Sequence, residues 1–265
     1  MWEFEIRNGI LERYRGRGGE VAVPDGVTEI SSGVFGSCED LTGVTLPAGV
    51  TKIGYMAFNS CARLTRVTLP AGLTVIGDWA FTDCVCLTDI ALPDGLTSIG
   101  ANAFGDCEAL TEIFLPDSLT SIGKDAFSGC CGLKRIAIPA AVTAIGDGAF
   151  DRCLRLAELR VDENNPAFCS DDRGVLFSRD KRVLLRAPQA IRGGYTIPDG
   201  VTALGKNAFL GCELRWLAIP ASVTDIGQDA LDCYPLTRYR VAKGSAGEQY
   251  CIRYDAFYEY LPEND

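Results

Sequence analysis

A spacing of 23 residues governs this chain. Prolines stand at 24, 47, 70, 93, 116 and 139, phenylalanines at 35, 58, 81, 104, 127 and 150, and cysteines at 38, 61, 84, 107, 130 and 153. Three residue types locked to one period mean an array of a single structural unit, and few folds accommodate that. Residues 24–161 hold six such units of 23 residues. Residues 198–241 hold two more, each of 22 residues; the first keeps Phe209 and Cys212, and the second carries Leu231 and Cys233. Drift of that kind is expected in a terminal repeat.

Inside one unit, "LTEIFLP" places Leu110, Ile113 and Leu115 in the pattern L-x-x-L-x-L of a short strand. "PDG" at 93–95 supplies a turn, with φ preset by proline and a left-handed position open to glycine. "LTSIG" at 96–100 reads as a second extended segment. "ANAFGDC" at 101–107 reads as one or two turns of helix or 3₁₀ helix that drive Phe104 inward. One such unit cannot bury its own apolar edge, but stacked units cover one another. The predicted fold is therefore a repeat solenoid, mainly β with short helical or 3₁₀ turns.

The motif "LPxGLTxIGxxAFxxCxxLTxIxLP" recurs almost unchanged from residue 24 to 241. It resembles the bacterial surface-antigen type (BspA-like) leucine-rich repeat family. The resemblance implies a right-handed leucine-rich repeat superhelix. It also implies a scaffold for adhesion or recognition, with ligands that differ from member to member.

The flanking segments fit one domain spanning 1–265. Residues 1–23 have strand-like runs at 2–6, 10–14 and 21–23 separated by "RNG" and "RGRGG", which suggests an N-terminal cap hairpin. Residues 162–197 interrupt the array. There "GVLF" and "RVLL" around "SRDK" predict a β-hairpin, either a larger solenoid turn or a protruding recognition element. Residues 242–265 suggest a C-terminal cap: a short helix, a strand at 258–261 and an acidic tail.

Composition narrows the chemistry. A net charge of −10 opposes nucleic acid, which requires a basic footprint, and anionic membrane surfaces. No apolar run approaches the roughly 18 residues of a membrane span, so no membrane insertion is expected. Histidine is absent, which removes the usual general base and the commonest metal ligand. No phosphate-binding loop, nucleophile elbow or zincin motif is present. Neither a catalytic residue nor a cofactor or metal is expected. Asp83 and Asp106, each one residue before a column cysteine, form the one carboxylate pair considered for acid–base work or calcium.

Twelve cysteines admit disulfides, zinc or a column of buried free thiols. An ample core and unpaired spacings favour the column. Reduced thiols predict a cytoplasmic setting, with a cell-surface or secreted one as the alternative if the chain has been trimmed. Cys169 and Cys251, outside the repeats, are the thiols expected to be reactive.

These readings lead to a non-enzymatic scaffold that binds a protein partner through the exposed face of its strands. Outward positions alternate with inward aliphatics. The side chains expected to carry binding are Arg66, Glu112, Phe114, Arg135, Glu158, Arg160, Trp216, Arg238 and Arg240. The alternative is a carbohydrate-binding or carbohydrate-active solenoid that uses acidic side chains.

Overall fold

The computed structural model describes residues 3–262, and its backbone falls into two compact units. The first comprises 1–155 with 164–166, and the second 156–163 with 167–265. Both are β-solenoids.

In the first unit, the L-x-x-L-x-L segments form a parallel sheet of strands Gly19–Ala22, Leu41–Thr45, Arg66–Thr68 and Asp89–Ile90. Gly43 stands opposite Arg66, and Arg66 opposite Asp89, so each period puts equivalent residues side by side. The L-T-x-I-G segments form a second sheet through Glu29–Ile30, Lys52–Ile53, Val75–Ile76, Ser98–Ile99, Ser121–Ile122 and Ala144–Ile145. The glycine that closes each of these segments allows close approach. A Cβ on Gly77 would lie 2.8 Å from the Ile53 carbonyl oxygen, and one on Gly123 2.5 Å from the Ala101 nitrogen.

The third side differs from the expected helical turn. It consists of successive turns, with left-handed residues on both sides of the phenylalanine: Met56 and Ser60 around Phe58, Asn102 and Asp106 around Phe104. A positive φ at these points stops a right-handed helix from propagating. It also aims alternate amides at the next rung. Met56, Phe58 and Ser60 donate to the carbonyls of Asp78, Ala80 and Thr82 at 3.0, 2.8 and 2.7 Å. Asn102, Phe104 and Asp106 do the same to Lys124, Ala126 and Ser128. Asparagine and aspartate tolerate the left-handed region better than most residues.

The core repeats with the period. Phe35, Phe58, Phe81, Phe104, Phe127 and Phe150 are buried. Their rings stack nearly parallel, with centroid distances that rise from 4.9 to 6.0 Å. The cysteines stand beside them. The thiols of Cys61, Cys84, Cys107, Cys130 and Cys153 donate to the carbonyls of Phe35, Phe58, Phe81, Phe104 and Phe127 at 3.0–3.2 Å. The column is thus a ladder of hydrogen-bond donors as well as packing.

At the head of this unit, Phe4–Arg7 and Ile10–Tyr14 form an antiparallel hairpin. Its Asn8-Gly9 turn has positive φ at both residues, as a tight hairpin requires. Tyr14 caps the ring stack 4.9 Å from Phe35. The expected first run began at Trp2, which lies outside the described residues. The third run, Gly19–Ala22, joins the first solenoid sheet rather than the hairpin. Asn165 belongs to this unit and is fully buried, donating to the carbonyls of Pro139 and Val142 at 2.8 and 2.9 Å.

In the second unit, the predicted hairpin is present as Leu176–Ser178 against Val183–Arg186, with Phe168–Ser170 as a third antiparallel strand. The interruption also supplies a rung of the solenoid. Val183–Arg186 pairs in parallel with Ala203–Leu204, and Gly193–Thr196 with Leu214–Ile219. The Ala187 amide donates to the Ala208 carbonyl at 2.7 Å, as the phenylalanine amide does in a standard unit. Leu214–Ile219 is followed by Arg238–Val241 and then Tyr258–Tyr260. Among the described residues there is one α-helix, Ala246–Arg253. Ser245 caps it by accepting the Glu248 amide at 3.2 Å.

Candidate interaction surface

Seven of the nine nominated side chains stand on strands; Glu112 and Phe114 lie on the equivalent segment of their unit, which is extended between rungs but forms no strand, contrary to expectation. In Arg135–Ile138 the first and third residues are exposed and the second and fourth buried. In Glu158–Val161 the two nominated residues are exposed and Leu159 is buried.

In the first unit, Arg66 is engaged already. The Glu20 carboxylate reaches across Gly43 to meet it at 3.0 Å, a path that a side chain at 43 would block. Arg135 lies 3.9 Å from Glu112. Both pairs are well exposed, so each contributes at most about 1 kcal/mol to stability. Phe114 has no such engagement. It is 81 % exposed, whereas its neighbours Ile113 and Leu115 are buried. Ala91 and Ala137, one period to either side, are too small to cover the ring.

In the second unit, Trp216 is half-buried, and its indole lies on the backbone of Gly194, where no Cβ could be accommodated. The Arg240 guanidinium stacks on the other side, 4.4 Å from the ring centroid, and also binds Glu259 at 2.6 Å. Trp216 therefore holds the strand from the interruption in place and is sandwiched rather than free. Ala218, in an outward column, is likewise buried. Arg238 sits in register beside Trp216, and Glu158 and Arg160 are exposed.

Sequence reasoning missed an apolar extension of this surface. Tyr234 and Phe257 lie outside the repeat columns, Leu236 stands in the column of the first strand leucine that is buried in the first unit, and all three are exposed. The acidic pair considered for chemistry has a conformational explanation. Asp83 and Asp106 occupy left-handed turn positions, with φ of 58° and 54°. Asp106 is bound to Arg152 at 3.3 Å. Among the described residues no group of three or more histidine, cysteine, aspartate or glutamate side chains could hold a metal. All twelve cysteines are free thiols. Cys251 is fully buried, contrary to expectation, and Cys86 is exposed. Burial pushes the Cys61, Cys212 and Cys233 thiols up to about 12, and those of Cys84, Cys107 and Cys130 well above their ordinary value.

Comparison with known proteins agrees with this architecture. A family described as "BspA type Leucine rich repeat region" matches in six copies, over residues 19–107, 74–170 and 194–259. A crystal structure described as a leucine rich cell surface protein from Faecalibacterium prausnitzii is similar at 29 % identity and a TM-score of 0.69, covering 88 % of this chain and 71 % of that one. A leucine-rich repeat protein from Eubacterium ventriosum is similar at 25 % identity and a TM-score of 0.64, covering 89 % and 68 %. The pneumococcal vaccine antigen PcpA, at 17 % identity, shares the fold, with a TM-score of 0.58 and coverage of 97 % and 92 %. No curated protein matches.

Proposed function

The chain belongs to the BspA-type leucine-rich repeat family, and from that membership we propose a non-enzymatic scaffold that binds another protein through its outward strand positions. The observation that carries the reading is Phe114, 81 % exposed on a rung whose core positions are already filled by Ile113 and Leu115. Aromatic and arginine side chains dominate the energetics of protein interfaces. Arg66, Glu112 and Arg135 supply a polar rim in the first unit. Glu158, Arg160, Trp216, Arg238 and Arg240 serve in the second, where Trp216 acts by setting the strand geometry. The carbohydrate alternative finds no support, because its acidic pair occupies turn positions.

A photo-crosslinking amino acid at position 114, compared with the same residue at the exposed Thr51 beside the second sheet, tests this function. Crosslinking to one discrete protein at 114, competed by unlabelled chain and absent at 51, is expected. Equal labelling at both positions, or none at 114, would overturn it.

The cytoplasmic setting expected from the thiols is not supported, since the Faecalibacterium relative is described as a cell surface protein. A cell-surface setting is the better reading.

A further inference from the structure

Two depressions lie side by side at the end of the second unit. One, of about 360 Å³, is lined by Glu213, Leu214, Arg215, Tyr234 and Leu236. The other, of about 210 Å³, is lined by Arg238, Phe257, Tyr258 and Glu259. Their walls carry the most exposed large apolar side chains of this unit, Leu236 at 78 % and Phe257 at 72 %. Each depression holds one carboxylate and one guanidinium, yet these are not partners. Glu213 is bound by Arg192 at 3.1 Å, and Glu259 by Arg240 at 2.6 Å. Both acids are thus neutralised from outside. Among the described residues Arg215 and Arg238 form no ion pair. Each depression therefore presents one uncompensated positive charge against an apolar wall, in a chain whose net charge is −10.

The spacing narrows the ligand. Trp216 pairs in register with Arg238, so Arg238 is displaced from Arg215 by one strand and by one residue along the strand. With strands about 4.8 Å apart and a rise of about 3.3 Å per residue, the backbone positions of the two charges are separated by about 6 Å. Alternate residues of an extended peptide lie about 6.6 Å apart on one face. The flexible arginine stems close the difference. Carboxylates two residues apart match this spacing, with apolar side chains alongside to cover Leu236 and Phe257.

We propose that this end of the second unit docks an extended acidic–hydrophobic segment of a partner protein, with acidic residues at every second position engaging Arg215 and Arg238. The proposal deepens the strand-face reading and rests on it, since Arg238 belongs to both.

A labelled short peptide of alternating glutamate and valine, titrated against the full chain by fluorescence anisotropy, tests it. Saturable binding that weakens with added salt is expected. Arg215→Gln and Arg238→Gln should each weaken it about tenfold or more, as loss of a charge-assisted contact would. Phe257→Ala should weaken it too, while Lys52→Gln in the second sheet of the first unit should leave it unchanged. A lysine–valine peptide should not bind. Equal binding of the two peptides, no loss in either arginine variant, or no binding of the acidic peptide would each overturn the proposal. If crosslinking at position 114 still captures a partner in that case, the acidic ligand alone is wrong. If it does not, the strand-face reading fails as well.

Discussion

At the scale of the residue, the cysteine column couples packing to proton binding. In the first unit each buried column thiol gives its hydrogen to a phenylalanine carbonyl, and in the second Cys212 gives its hydrogen to the Pro188 carbonyl, bonds that a thiolate cannot make. Burial makes the folded state hold the thiol protons to about pH 12 at Cys61, Cys212 and Cys233. In the unfolded chain the same thiols titrate near their ordinary value of about 8.5. Raised folded-state values mean that the stabilisation is complete below about pH 8 and lost as pH climbs from about 8.5 towards 12. Each thiol contributes up to about 1.4 kcal/mol per pH unit within that window. Urea midpoints at pH 7, 9 and 10 should therefore decline. A variant with Cys84, Cys107 and Cys130 replaced by alanine, less stable at pH 7, should decline less steeply. A flat midpoint up to pH 10 would contradict the thiol ladder.

Among the elements, the ring stack and the strand face give opposite expectations for the same residue type. Phe104 is fully buried between Phe81 and Phe127, whose centroids are each 5.4 Å away. Phe104→Ala should cost about 3–5 kcal/mol. Phe114→Ala, ten residues on, should fall within about 0.5 kcal/mol of the parent. Thermal denaturation of the two variants decides between these expectations. Both positions were legible in the sequence, because a period repeated in eight units averages away local ambiguity and leaves only the inward and outward columns. The turn side was less so. Its phenylalanine spacing suits a helix, and only the recurrence of Ser60, Asp83 and Asp106 at one position hints at left-handed backbone. The role of Trp216 was hidden for another reason. It depends on Gly194, 22 residues earlier and outside the standard unit, and on Arg240, two positions beyond the residue with which Trp216 is paired.

For the molecule as a whole, location follows from shielding rather than from thiol number. Thiolates are the reactive species, and burial suppresses them, so a free-thiol ladder survives outside a reducing compartment. Protease shaving of intact cells that produce this chain should release its peptides into the medium. Recovery only after lysis would return the chain to the cytoplasm. The turn side carries one more consequence. In both units its inter-rung bonds run in a single sense, from the amide of an earlier rung to the carbonyl of a later one: Phe35 to Ala57 and Phe127 to Ala149 in the first unit, Phe209 to Ala230 in the second. Peptide dipoles of about 3.5 D each then add instead of cancelling. Each turn face is an electret, positive towards its high-numbered rungs and negative towards its low-numbered ones, the reverse of the order along an α-helix. Asp125, Asp147 and Asp151 are gathered on the late turns of the first unit, and Asp229 and Asp232 on those of the second, where that field favours negative charge.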